Sequence, residues 1–161
     1  MEALPADFFD LLESFLTDNV EFLLVGSFAL AAHGISRTTG DMDVWVRPTS
    51  ENAVLVFRAL VRFGAPLAIH GVRAEDFARA GTVYQMGLPP LRIDLLTKPS
   101  GVEFEGAWSR RHTANLGPLC VPVIGLADLV RNKVAAGRPK DLLDLELLRE
   151  AGVDVDGPLS Q

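Results

Sequence analysis

The segment Asp41-Met42-Asp43-Val44-Trp45-Val46 alternates between residue classes in a way that only a strand can use. Along a strand, successive side chains point to opposite faces, so Met42, Val44 and Val46 enter a core while Asp41, Asp43 and Trp45 share the other face. The two carboxylates are then about 6–7 Å apart at the backbone. Like charges at that spacing raise each other's pKa unless a cation lies between them. The chain must therefore build a sheet with one apolar face and one face able to receive a metal ion.

The residues on either side extend this pattern. Glu21–Val25 is a short apolar run ending at Gly26, which reads as a buried strand and a tight turn. Ser27–His33 begins with a good N-cap and stops before Gly34, so a two-turn helix follows, with backbone N–H groups at its start suited to an anion. Leu91–Leu96 is a second alternating strand, with Leu91, Ile93 and Leu95 on the core side and Arg92 and Asp94 on the other. Arg37 and Thr39 place a cation and a hydroxyl at the rim of the same region.

Elsewhere, helical spacing predicts helices over residues 7–17, 53–63, 126–136 and 140–150, and a short one over 74–80. Thr82–Met86 reads as a strand, followed by a turn at Gly87-Leu88-Pro89-Pro90. Leu119–Ile124 reads as an edge strand because Pro122 cannot donate to a ladder. Phe104–Arg111 fits more than one state, with Trp108 packing, and Val153–Gln161 reads as a loose tail. No repeat, low-complexity run or linker divides the chain, so residues 1–161 read as a single domain.

At 161 residues and 48% hydrophobic content, the chain is large enough to bury a core. The formal net charge of -6 argues against a protein that wraps nucleic acid through its overall field. Local basic clusters remain at Arg110-Arg111-His112 and at Arg131, Lys133, Arg138 and Lys140, either of which could equally be a solvated face. The only cysteine, Cys120, lies in an apolar run, so a buried structural thiol is expected, in keeping with a reducing cytoplasm. The first residues lack a basic and apolar leader, and no membrane span is expected.

Three carboxylates, Asp41, Asp43 and Asp94, without Cys or His among them suit a hard, oxygen-loving ion: Mg²⁺, or Mn²⁺ in its place. Phosphoryl or nucleotidyl transfer uses such an arrangement, with a pair of ions clamping the attacking and leaving oxygens. Asp94 would then serve the acceptor hydroxyl as general base, and Ser27 with the neighbouring N–H groups would hold a triphosphate. His33 reads as a helix-end side chain, and His70 and His112 have no recognisable partner. Trp45 is read as packing, with base stacking as the alternative.

These residues resemble the DNA polymerase beta-like nucleotidyltransferase superfamily. Its hallmark is Gly-Ser or Gly-Gly after a hydrophobic residue, a spacer, an acidic-hydrophobic-acidic strand and a third acid on a later strand. Gly26-Ser27, Asp41-Met42-Asp43 and Ile93-Asp94-Leu95 stand in those places. Two segments, Gly34–Asp41 and Lys133–Asp144, look more narrowly like small bacterial nucleotidyltransferase-like proteins related to AbiEii-type toxins. The resemblance implies that Lys133, Arg138, Lys140 and Asp141 approach the nucleotide: the lysines as point charges, Arg138 bidentately, Asp141 orienting one of them. Read without the family, the same four residues simply cap and connect two helices.

The fold expected is α/β (α+β), a mixed and mostly antiparallel sheet carrying the three acids, with helices on one side. The function expected is Mg²⁺-dependent transfer of a nucleoside monophosphate from an NTP to a hydroxyl acceptor. That acceptor is a tRNA end, a protein or a small molecule such as an aminoglycoside, in a setting that includes toxin–antitoxin or defence systems. A catalytically silent nucleotide-binding or regulatory partner protein is the alternative. A second copy or another chain is expected to complete the acceptor side.

Overall fold

The computed structural model describes residues 4–36 and 40–156. Arg37 and Thr39, assigned above to the rim, lie outside the described residues, as do positions 157–161. Helix α1 (Ala6–Thr17) leads into strand β1 (Phe22–Val25), helix α2 (Gly26–Ala32), strand β2 (Met42–Val46) and helix α3 (Ser50–Phe63). After a 3-10 turn at Ala74–Ala78 come β3 (Val83–Met86), β4 (Ile93–Leu96), α4 (Phe104–Ser109), β5 (His112–Leu116), β6 (Leu119–Val123), α5 (Leu126–Ala136) and α6 (Pro139–Glu150).

The strands form one six-stranded sheet in the order β3-β4-β2-β1-β6-β5. Its β1–β2, β3–β4 and β5–β6 pairs are antiparallel, and its β1–β6 and β2–β4 pairs are parallel. The sheet is thus mixed and mostly antiparallel, as its sequence implied.

Pairing register fixes the two faces. Phe22 and Leu24 lie opposite Val46 and Val44, whereas Leu23 and Val25 lie opposite Trp45 and Asp43. The first set, with Met42, faces α1: Phe15 of α1 meets Phe22 edge-to-face with ring centroids 5.4 Å apart. Helix α3 packs on α1, and Arg62 reaches Asp18 at 2.9 Å. Thr49 caps α3 by accepting from the Asn52 N–H, and Gly64 ends it in the left-handed region.

The opposite face is also covered in part, contrary to the one-sided arrangement expected. Trp45, fully buried, meets Phe104 of α4 edge-to-face at 5.1 Å and donates from Nε1 to the Thr97 carbonyl at 3.2 Å. Trp45 therefore packs and has no open face for a base. The stretch read as ambiguous is α4, where Phe104 stacks on Trp108 and Arg47 lies 4.7 Å above the Phe104 ring.

Several other expectations change. Strand β6 is interior, between β1 and β5, because a strand at 112–116 takes the edge. The Ile124 N–H donates to the Leu24 carbonyl; two residues earlier the Pro122 nitrogen faces the same strand with no hydrogen, so the parallel ladder stops there. Cys120 is exposed, since Val121 and Val123 take the covered face and Cys120 falls on the other. Leu91 lies before β4 and is 48% exposed, leaving Ile93 and Leu95 to the core. Of the stretch read as a loose tail, Val155 is buried. Among the described residues, no helix is long and apolar enough to cross a membrane.

Candidate active site

Parallel pairing of β2 with β4 sets Asp43 directly beside Asp94, and antiparallel pairing of β4 with β3 sets Gln85 on the far side of Asp94. Paired residues point the same way, so Gln85, Asp94 and Asp43 form a row across three adjacent strands, spaced by about 4.8 Å at the backbone. The row ends at Val25, opposite Asp43, where the chain turns through Gly26 into α2. Gly26 has φ +65°, and a Cβ there would lie 2.4 Å from Asp43 Oδ2. Any larger residue would both strain the backbone and displace the carboxylate.

A cavity of about 440 Å³ opens over this row. The start of α2 contributes Gly26 and Ser27 to its wall, the sheet and the residue before β4 contribute Asp43, Gln85, Asp94 and Arg92, and the α5–α6 region contributes Asn132, Lys133, Arg138 and Lys140. Lys98–Ser100 closes a third side. This loop is tied to α5 through the Asn132 amide, which donates to the Ser100 carbonyl at 2.9 Å.

Electrostatics single out Asp43. Burial, and then the charge of Asp94, push its pKa from 3.8 up to about 6, with Lys140 acting in the opposite direction. Within the pair of oxygen donors, Asp43 is the member whose charge is least compensated. Asp41 precedes β2 and is 34% exposed, with Arg92 Nη2 at 3.1 Å from its Oδ2. Gly40 presses so closely on the β3–β4 turn that a Cβ would lie 1.9 Å from the Pro90 carbonyl oxygen, which fixes where Asp41 begins. The Arg92 guanidinium also donates to both oxygens of Asp94, at 2.8 and 3.1 Å, and this hydrogen bonding raises its own pKa. Among the described residues, no three His, Cys, Asp or Glu side chains converge as a ready metal-holding group.

The late basic segment divides. Lys133 reaches the cavity wall, but it is 3% exposed and its Nζ lies 2.8 Å from Asp144 and 3.6 Å from Asp141. It is not the unencumbered point charge expected. Arg138 donates to Asp141 from Nε at 2.7 Å and from its backbone N–H at 3.1 Å, so the Asp141 carboxylate ties down the start of α6. Burial alone pushes the Asp141 pKa up, but the hydrogen bonds and charge of Arg138 prevail and hold it below the usual carboxylate value. Asp141 thus orients both Arg138 and Lys133. Lys140 is exposed, lines the cavity and makes no ion pair among the described residues, so it is the cation open to a ligand.

Further residues shape the site without having been singled out in the sequence: Arg92, Gln85, Asn132 and Asp144. Two of them carried a signal. Arg92 stands two residues before Asp94, on the same strand face, and Asp144 stands three after Asp141, on the same helix face. Gln85 and Asn132 carried none, since their positions depend on strand pairing and helix docking. The three histidines lie away from the row. His33 caps α2 and meets the Ile124 carbonyl at 2.8 Å, with the His112 ring 5.1 Å from its own. His70 has a partner after all, the Tyr84 hydroxyl at 2.9 Å.

No known family pattern matches the chain, and no curated protein matches it in sequence. In fold it is similar to a solved Thermotoga maritima protein provisionally named a nucleotidyltransferase. The TM-score is 0.58 at 13% identity, over 89% of this chain and 91% of that one. The chain has a nucleotidyltransferase-like fold.

Proposed function

We propose that this protein is a Mg²⁺-dependent nucleotidyltransferase that moves a nucleoside monophosphate from an NTP to a hydroxyl acceptor. The observation that carries the reading is the Asp43–Asp94 pair, held side by side by strand register on the floor of a cavity with Lys140 on its wall. Mg²⁺ fits this donor set: both partners are carboxylates, the charges of Lys140 and Lys133 only partly offset the burial of Asp43 and its repulsion by Asp94, and Gly26 leaves room where a Cβ would press on it. Asp43 and Asp94 would hold it, with Asp41 at the margin and substrate phosphate oxygens completing the shell. The ion would supply charge neutralisation at the α-phosphate and lower the pKa of the acceptor hydroxyl.

The chain's own residues have separate tasks. Ser27 and the start of α2 lie against the phosphates, and Lys140 meets the β- and γ-oxygens as a point charge. Arg138, braced by Asp141, adds a directed guanidinium. Asp94 takes the proton as the acceptor oxygen bonds to the α-phosphorus. The α–β bridging P–O bond breaks, and pyrophosphate leaves. The buried Lys133–Asp144–Asp141 group sets the angle at which α6 delivers Arg138 and Lys140.

The acceptor classes this reading admits are a tRNA end, a protein hydroxyl and a small molecule, and a toxin–antitoxin or defence role is compatible with each. The tRNA end draws little on the late basic cluster, because Arg131, Lys133 and Arg138 are all engaged with carboxylates. A catalytically silent nucleotide-binding partner is the competing reading, favoured by the hold of Arg92 on Asp94. Titration calorimetry with each NTP and Mg²⁺, followed by a pyrophosphate-release assay on wild type, Asp41→Ala and Asp43→Ala, separates the two. Binding with acceptor-dependent pyrophosphate release, lost in Asp43→Ala, supports the enzyme. Binding without release on any acceptor class supports the silent partner. Nucleotide binding that is metal-independent and indifferent to both substitutions sinks the site itself.

A further inference from the structure

Among the described residues, Arg92 is the one cation seen to touch two of the three acids proposed to serve the metal. Its Nε and Nη2 take both oxygens of Asp94, and Nη2 also lies 3.1 Å from Asp41. The pair with Asp94 is sheltered, with side-chain exposures of 28% and 10%. A bidentate guanidinium–carboxylate pair occupies the lone pairs that a metal ion would use. Asp43, by contrast, has no such fork on it among the described residues; the charges of Lys140 and Lys133 reach it from the α5–α6 side of the cavity, and that of Arg92 from the sheet side.

We infer that Arg92 is a positioning residue that competes with the divalent ion for Asp94, holding Asp94 and Asp41 in place until the metal–nucleotide complex arrives. The inference rests on the nucleotidyltransferase reading of the site and goes beyond it by assigning a residue that sets metal affinity. Incoming Mg²⁺ must break the two hydrogen bonds to Asp94. The displaced guanidinium lines the same cavity as Lys140, so the phosphates of the nucleotide offer it a replacement anion. Metal alone therefore binds weakly, and metal with nucleotide binds well. Arg92 thereby keeps Asp94 from being occupied by the ion before a substrate is present.

The test is Mn²⁺ binding to the full chain, read as free Mn²⁺ by electron paramagnetic resonance, without nucleotide. Wild type, Arg92→Gln, Arg92→Lys and Asp94→Asn are compared. Arg92→Gln is expected to bind Mn²⁺ about tenfold more tightly than wild type, since no charge-assisted bidentate pair must be broken. Arg92→Lys retains the charge but cannot form the fork, and it too is expected to bind more tightly. Asp94→Asn is expected to bind more weakly than either.

If wild type binds and Arg92→Gln binds no better, the competition is refuted while the nucleotidyltransferase reading stands. If Arg92→Gln binds better but Arg92→Lys matches wild type, the effect is one of general field, and the competition is again refuted. If neither wild type nor the two Arg92 variants bind Mn²⁺ at any concentration, the metal reading of the site falls and takes this inference with it. A nucleotide with a methylene α,β-bridge supplies a second readout: it should tighten Mn²⁺ binding more in wild type than in Arg92→Gln.

Discussion

Replacing Asp43 with Asn should stabilise the metal-free protein while removing its activity. In the folded chain, burial and the neighbouring Asp94 raise the Asp43 pKa from 3.8 to about 6. The folded state therefore binds that proton more tightly than the unfolded chain does, and wild-type stability falls as pH rises from about 4 to 7. Above both pKa values the loss levels off at roughly 3 kcal/mol, from about 1.4 kcal/mol for each unit of pKa. Asn at this position carries no charge and avoids the loss. In a chain of this size about 1 kcal/mol moves the melting temperature by roughly 2–4 °C, so Asp43→Asn at pH 8 should melt several degrees, and up to about 10 °C, above wild type.

Differential scanning fluorimetry or calorimetry across pH 4.5 to 8 reads this directly. The gap between the two proteins should be small at pH 4.5, widen through pH 6 and be constant by pH 8. Mg²⁺ should narrow it by raising wild type alone, because a ligand that binds only the folded state stabilises it. A variant no more stable than wild type at pH 8, or a gap of the same size at every pH, would refute the electrostatic account of Asp43.

Lys133→Met should be severely destabilising, by about 3–5 kcal/mol, since Asp144 and Asp141 would be left buried without their ammonium; urea unfolding measures it. Lys140→Ala should leave the urea midpoint within error and weaken NTP binding about tenfold in titration calorimetry, because an exposed cation open to phosphate is lost without disturbing the core. Cys120→Ser should change neither stability nor nucleotide binding, and the native thiol should react with a maleimide in the folded protein, as an exposed strand residue does.

The strands that carry the acids, β2 and β4, were legible because a period of two with one apolar face leaves little choice of structure, and β1 and β3 lie where an apolar run before Gly26 and a strand-like run before Gly87 put them. What failed was information that resides in pairing. Pro122 marks a strand short of a donor, but whether that gap lies at an edge or beside β1 depends on β5, whose His112–Leu116 sequence is polar and mostly exposed. Cys120 sits among apolar neighbours in sequence yet falls on the exposed face of its strand, opposite Val121 and Val123. In the site, the spacing of Gly26, Asp43 and Asp94 was readable because each is fixed by its own strand or turn. The roles of Lys133, Arg138 and Lys140 were not, since capping and ligand binding select the same residue types. Only the docking of α6 on α5 buries one lysine against Asp144 and leaves the other open. Arg92 was visible on the acidic face, but its grip on Asp94 depends on geometry that alternation does not specify.

The central claim, that the Asp43–Asp94 pair transfers a nucleoside monophosphate, is met most directly by label transfer. Wild type and Asp43→Asn are incubated with cell extract, Mg²⁺ and each of the four NTPs, labelled in turn at the α- and the γ-phosphate. The account predicts that the α-label becomes attached to an acceptor while the γ-label leaves as pyrophosphate, with wild type only. Attachment of the γ-label, or equal α-labelling by Asp43→Asn, would contradict it.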